Sequence, residues 1–163
     1  MGVKQVRPGV RRTLKVSAEK KRTMYETILV ASDSSDESRA ALEHAVDLAA
    51  SVDATVHIVT VLEVHSNPMQ FGVGEVDALN DAAEDLLREL CAVHDERPVE
   101  IKPDVLRGKP AETLLEYAAE IEADLIVVGQ QGAGGITGTL IGSTTDRLAR
   151  LTDRPLTIIP ATE

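Results

Sequence analysis

The stretch from Asp124 to Asp146 reads DLIVVGQQGAGGITGTLIGSTTD and combines three kinds of local structure. Its opening DLIVV is β-branched and apolar after the aspartate, as in a buried strand of a parallel sheet. Five glycines then fall between Gly132 and Gly142, and the residues that follow predict a helix near 143–152. A buried strand, a glycine-rich loop and a helix in this order predict an α/β protein with an anion-binding loop.

The same alternation of strand and helix patterns continues on both sides of this stretch. Strands alternating with helices predict a five-stranded parallel sheet with helices on both faces. Ligands of such sheets bind beyond the carboxyl ends of the strands, where the strand order reverses. The loops after the first, second and fourth strands are therefore the candidate site. The predicted strands are Thr27–Ser32, Ala54–Val61, Val99–Leu106, Asp124–Val128 and Pro155–Ile159, and the predicted helices are about 37–51, 75–95, Ala111–Ile121 and 143–152.

Hydroxyl side chains mark the starts of two of these helices. Ser34 and Glu37 form an S-x-x-E capping box ahead of the first helix. Ser143 has two open interpretations: an N-cap with Asp146 as its partner, or a hydroxyl donor to a bound phosphate, and both can hold together. Gly142 and Ser143 stand where free backbone N–H groups and the positive end of the helix dipole form an anion site.

The glycine loop differs from two common phosphate-binding motifs. It contains no G-x-x-x-x-G-K-[ST] sequence and no Lys or Arg. Its glycines follow the fourth strand instead of the first, and G-x-G-x-x-G is not met. The spacing is G-x2-G-x9-G-S, formed by Gly129, Gly132, Gly142 and Ser143.

This spaced motif resembles the signature of the ATP-binding branch of the universal stress protein family. The resemblance extends over residues 24–160 and includes the Gly108–Pro110 turn and the pair Arg154-Pro155. It implies a three-layer α/β/α fold, Rossmann-like and of the adenine nucleotide alpha hydrolase-like type, for a domain of residues 24–163. It further implies ATP as the ligand, with Mg²⁺ or Mn²⁺, and a homodimer that pairs through the last strand, Pro155–Ile159.

The resemblance also implies a nucleotide site at the ends of the first, second and fourth strands. Asp33 would lie on the ribose or metal side, although it can equally be a capping carboxylate near the first helix. No metal site built from protein ligands alone is expected, so Asp33 would reach a metal only through MgATP. The implied residues are Ala31, Ser32 and Asp33 against the nucleoside, Val61 at the adenine edge, Val128 and Gly129 along the ribose, and Gly132, Gly142, Ser143 and Thr144 around the phosphates.

The loop departs from the commoner family pattern at two places. Family members often carry a basic or imidazole side chain at the position of Gln131, and Arg-Ser where this chain has Ala133-Gly134. The missing positive charge weakens phosphate affinity, because charge-assisted hydrogen bonds are stronger than neutral ones. A divalent cation would compensate.

No catalytic set is apparent. His44, His57 and His94 are predicted in helices and a strand, where structural histidines are usual, and no Cys/His ligand spacing is present. His65, after the second strand, is either an exposed loop histidine or a catalytic group near the pocket mouth. Cys91 is interpreted as a small core residue rather than a reactive thiol.

Charge is divided unevenly along the chain. Residues 1–23 carry eight Lys or Arg and one Glu, whereas residues 24–163 carry nine basic and 26 acidic residues. The basic segment is interpreted either as a disordered tail that docks on something acidic, or as sequence ahead of a true start at Met24. The acidic, lysine-poor body resembles proteins of high-salt cytoplasms, or it is an ordinary acidic surface.

Composition excludes several partners. Only 2% of residues are aromatic and the body is acidic, so neither nucleic acid nor an anionic membrane is an expected partner. No stretch has the length of a membrane span, and residues 1–23 lack the apolar core of a secretory signal. The expectation is a soluble cytoplasmic protein. Three functions stay open: a regulatory ATP-binding stress-response protein that is not an enzyme, a dimeric interaction module, and a slow ATPase.

Overall fold

The structure, a computed structural model, describes residues 24–63, 73–132 and 141–160. Three features of the sequence lie outside these ranges: the basic segment 1–23, His65, and the centre of the glycine loop at residues 133–140.

The described residues form five strands and four helices that alternate along the chain. The strands make one parallel sheet in the order β3-β2-β1-β4-β5, with helices on both faces. The predicted five-stranded, three-layer α/β/α fold is confirmed. The elements are β1 (Thr27–Ala31), α1 (Asp36–Val52), β2 (Thr55–Leu62), α2 (Val73–Ala92), β3 (Ile101–Arg107), α3 (Pro110–Glu120), β4 (Leu125–Gly129), α4 (Ser143–Leu151) and β5 (Leu156–Ile159).

Two apolar cores lie on opposite faces of the sheet, because successive strand residues point to opposite sides. On one face, α1 and α2 cover Ile28 and Val30 of β1 together with alternate residues of β2 and β4. On the other face, α3 and α4 cover Leu29, Val59 and Ile126. All of these strand residues are fully buried, which explains why the strands have continuous apolar sequences.

The strand order reverses between β1 and β4. The chain steps outward from β1 to β2 and β3, then returns to place β4 on the other side of β1. Asp124 fixes this junction at the amino end, since its Oδ2 accepts from the N–H groups of Glu26 (2.8 Å) and Thr27 (3.0 Å). At the opposite, carboxyl end, the loops after β1 and β4 diverge and leave a crevice.

Several predicted element ends are corrected by one or two residues. β1 ends at Ala31, yet the N–H of Ser32 still donates to the carbonyl of Val59 at 2.8 Å. β5 begins at Leu156 rather than Pro155, because proline has no N–H and contributes only its carbonyl, which accepts from Ile126. His94 lies in a turn after α2, not within the helix.

The N-cap of α1 is Ser35, so the predicted capping box at Ser34 and Glu37 is wrong. Ser35 Oγ accepts from the N–H of Ser38 at 3.1 Å, and Ser38 Oγ donates back to the Ser35 carbonyl at 2.9 Å. Ser34 has a left-handed backbone with φ of 67° and lies in the turn before the helix. The N-cap moves by one residue because the carboxylate of Asp33 accepts from the N–H of Ser35 and turns the chain here.

Candidate functional site

A cleft of about 380 Å³ opens at the carboxyl ends of β1, β2 and β4, beside the point where the strand order reverses. This volume lies within the range of small-molecule pockets. The structure brings all ten residues of the predicted nucleotide site to the walls of this cleft. They are Ala31, Ser32, Asp33, Val61, Val128, Gly129, Gly132, Gly142, Ser143 and Thr144.

The amino end of α4 forms one wall of the cleft. Gly142 is the N-cap residue and no side chain caps the helix, so the interpretation of Ser143 as an N-cap is wrong. Ser143 is instead the first helical residue, and its N–H, like that of Thr144, has no partner within the helix. Uncapped N–H groups and the positive end of the helix dipole therefore face the cleft, which suits an anionic group.

Three hydrogen bonds hold this helix end in place. The buried Thr145 hydroxyl donates to the carbonyl of Gly129 at 2.8 Å and ties α4 to the end of β4. The N–H of Gly142 donates to the carbonyl of Gln130 at 2.8 Å, and the N–H of Gln130 donates to Ile159 of β5 at 2.7 Å. The entry and exit of the glycine loop are therefore anchored to the sheet.

Asp33 organises the loop between β1 and α1. Its Oδ1 accepts from the N–H of Ser35 at 3.1 Å and from the Ser35 hydroxyl at 2.5 Å. Its Oδ2 lies so close beneath Gly132 that a Cβ at this glycine would collide with it. Asp33 thus supports the N-cap of α1 and also touches the glycine loop, whereas its place on the ribose or metal side of a ligand stays a prediction.

Ser32 carries an unsatisfied buried hydroxyl. The residue is 4% exposed and lines the cleft, and its Oγ has no hydrogen-bond partner among the described residues. The neighbouring Thr60 hydroxyl donates to the Ser32 carbonyl at 3.1 Å and not to Oγ. A buried hydroxyl without a partner costs free energy, and a bound ligand would remove that cost.

The wall of the cleft opposite α4 is apolar, and the sequence predicted only some of its residues. Val59 and Val61 come from β2, and Pro110 and Leu114 come from α3. The α3 residues reach the cleft by tertiary packing, and the sequence predicted only a helix over Ala111–Ile121 without placing any of its residues in the site. Glu63 also lines the cleft, and the described lining contains no Lys, Arg or His.

The described histidines, His44, His57 and His94, do not line the cleft. His57 Nδ1 lies 3.1 Å from the hydroxyl of Tyr117, and burial lowers the pKa of His57, with a further contribution from Lys102. His94 is 7% exposed near Glu43 of α1. Within the described ranges, no group of three His, Cys, Asp or Glu side chains could hold a metal ion.

Residues 24–160 match the profile of the universal stress protein family. The chain belongs to this family. A universal stress protein of Methanocaldococcus jannaschii is 30% identical over 141 residues, which make up 83% of this chain and 82% of the relative. The stress response protein NhaX of Bacillus subtilis is 26% identical over 82% of this chain and 97% of its own length.

Solved structures of universal stress proteins have the same fold. UspA from Lactobacillus plantarum superposes with a TM-score of 0.76 at 29% identity, covering 83% of this chain and 97% of that one. A universal stress protein crystallised in complex with cAMP gives a TM-score of 0.68 at 29% identity, covering 84% and 98%. In the described part of this universal stress protein, no helix has both the length and the apolar character needed to cross a bilayer.

Proposed function

We propose that this universal stress protein binds an adenine nucleotide, ATP foremost, in the cleft and acts as a stress-response regulatory protein. The observation that carries the proposal is the pairing of an uncapped helix end with a buried, unpartnered hydroxyl. The α4 amino end supplies free N–H groups, and Ser32 supplies Oγ on the same cleft. Both features suit an anionic, oxygen-rich ligand.

The two walls of the cleft fit the two ends of a nucleotide. Val61, Pro110 and Leu114 give an apolar surface for the base, whereas Gly142, Ser143 and Thr144 give donors for phosphate. Val128 and Gly129 lie between these ends, where the ribose would be. The solved relative in complex with cAMP, 29% identical to this chain, supports an adenine nucleotide as the ligand class.

The charge of the site indicates that the nucleotide brings a cation with it. Asp33 and Glu63 line the cleft without a Lys or Arg among the described lining residues. The described residues also offer no cluster that would hold a metal alone. Mg²⁺ or Mn²⁺ bound to the phosphates would offset the two carboxylates, and Asp33 is the carboxylate that lies against the glycine loop.

Calorimetric titration with MgATP tests the proposal, and Ser32→Ala sharpens it. We expect micromolar to millimolar binding that weakens about fivefold in Ser32→Ala, because one hydrogen bond to the ligand is lost. Without ligand, the same variant should be as stable as the parent or slightly more so. Thr60→Val is the control: Thr60 lies outside the lining, and losing its bond to the Ser32 carbonyl lowers stability by about 1 kcal/mol while Ser32 Oγ stays in place. Absence of heat at millimolar MgATP would refute the proposal.

A second candidate function is a dimeric interaction module, favoured by β5. This strand lies at the edge of the sheet, and its four residues are only half-buried within one chain. An apolar edge strand is a template for pairing with a second copy. Ile158→Lys should convert a dimer to a monomer in light scattering, with Asp104→Lys, at an exposed position of the opposite edge strand β3, as a control. A dimer that persists in Ile158→Lys would reject this interface.

A further inference from the structure

An ion pair joins the two helices that flank the cleft. Arg147 Nε of α4 donates to Glu112 Oε1 of α3 at 2.6 Å, and Arg147 Nη2 contacts the same oxygen. Glu112 lies in the first turn of α3, between the cleft residues Pro110 and Leu114. Arg147 follows the cleft residue Thr144 by three positions, which is one helical turn on the same face of α4.

We propose that Glu112 and Arg147 are positioning residues for the ligand site. Their ion pair fixes the amino end of α4 against α3. It therefore sets the distance between that helix end, where the phosphates would bind, and the apolar wall to which α3 contributes. The inference rests on the proposed function, since it concerns affinity for the nucleotide. Holding both walls in the binding geometry before the ligand arrives lowers the entropic cost of binding.

The other contacts that hold α4 lie deeper in the fold than the ion pair. Leu148 packs with Leu114 in the buried core beneath both helices, and Thr145 ties α4 to β4. The ion pair instead joins the first turn of α3 to the middle of α4. Its exposed fractions of 57% for Arg147 and 35% for Glu112 show that it lies near the surface.

Two other ion pairs, made by Arg150 and Arg97, do not link the cleft walls. Arg150 pairs with Asp146 within α4 at 2.9 Å. Arg97 pairs with Asp47 and so joins the turn after α2 to α1. The hydrogen bond from Arg147 lowers the pKa of Glu112, with its own backbone N–H as a further cause, so the carboxylate stays ionised at neutral pH.

A double-mutant cycle tests the inference. Glu112→Gln, Arg147→Gln and the double variant are titrated with MgATP, and Arg150→Gln is the matched control because it removes a pair within the same helix. We expect each single change to weaken binding about two- to fivefold, the range of an exposed ion pair, and the double variant to be no weaker than either single. Arg147→Lys, which keeps the charge but loses the planar fork, should fall between parent and Arg147→Gln. Arg150→Gln should bind like the parent.

Hydrogen exchange of the ligand-free variants supplies a readout that needs no nucleotide. Glu112→Gln and Arg147→Gln should speed exchange of the hydrogen-bonded amides at residues 146–149, and Arg150→Gln should do so less. If the parent binds no adenine nucleotide, the proposed function fails, and this exchange measurement alone decides the positioning role. Unchanged exchange in both single variants would overturn the inference. Tighter binding by Glu112→Gln would also overturn it, and would mean that Glu112 withholds Arg147 from the phosphates.

Discussion

Gly129 ends β4 directly against the first turn of α1. A Cβ at this position would lie 2.7 Å from the Cβ of Glu37 and 3.0 Å from its backbone carbon, closer than side chains pack. A glycine is therefore required here, because the backbone of α1 lies too close for a side chain. Gly129 also lines the cleft at the end of β4. Because the neighbour is backbone rather than a flexible side-chain end, the clash cannot be relieved cheaply.

We therefore expect Gly129→Ala to lower the free energy of unfolding by about 1–3 kcal/mol in urea denaturation. The matched change is Gly74→Ala in the first turn of α2, where a Cβ would meet nothing within 4 Å. It should be neutral or slightly stabilising, since alanine is the better helix former. Equal stability of the two variants would contradict the close approach at Gly129.

The sequence predicts those cleft residues that belong to one spaced motif. Gly129, Gly132 and Gly142 are found by spacing along one loop, and the structure brings them to one cleft. Pro110 and Leu114 were missed, because they enter the cleft from a helix more than ten residues before that loop. The cap of α4 was misassigned at Ser143 because sequence rules favour a hydroxyl, whereas the N-cap residue here is Gly142.

One buried hydroxyl ties the helix α4 to the strand β4. Thr145 is 6% exposed, and its hydroxyl bonds the last carbonyl of β4. Thr145→Val keeps the shape but removes the donor and leaves the Gly129 carbonyl unsatisfied, so we expect a loss of about 1–3 kcal/mol. Nucleotide affinity should fall with it, because the amino end of α4 is displaced.

Thr145→Ser is the companion change, since it keeps the hydroxyl and removes one methyl group. It should retain most of the nucleotide affinity, and calorimetry alongside urea denaturation gives both quantities. A Thr145→Val protein that binds as tightly as the parent would show that α4 is held by its apolar contacts alone.

The order and type of the elements followed from the sequence, whereas their ends did not. Buried β-branched runs separated by amphipathic segments identify strands and helices of a parallel sheet without further information. The N-cap of α1 lies one residue later than expected, at Ser35, because Asp33 bonds Ser35 and Ser34 lies in a left-handed turn. Such a local competition between side-chain and backbone partners is not visible in a pattern of apolar residues.

Acidic residues far outnumber basic residues in the protein beyond its basic first segment. Residues 24–163 contain 26 acidic and nine basic residues, and α2 exposes Asp77 and Asp81 one turn apart with like charge. Mutual repulsion of this kind opposes the compact state and is screened by salt. The fold should consequently be more stable in concentrated KCl than in dilute buffer.

Thermal unfolding between 0.1 and 2 M KCl measures this effect. We expect the Tm to rise with salt, at roughly 2–4 °C for each kcal/mol gained in a protein of this size. Replacing Asp77 and Asp81 by Asn should raise the Tm in dilute buffer and flatten its dependence on KCl. A Tm that falls with KCl, or that rises equally in the variant, would refute repulsion as the cause.

Hydrogen exchange with and without MgATP is the sharpest test of adenine nucleotide binding in the cleft between the apolar wall and the amino end of α4. We expect slower exchange at residues 129–132 and 142–145 and at Ser32, with no change along the exposed edge strand β3. Identical exchange across all of these residues at millimolar MgATP, or protection confined to surfaces away from the cleft, would contradict it.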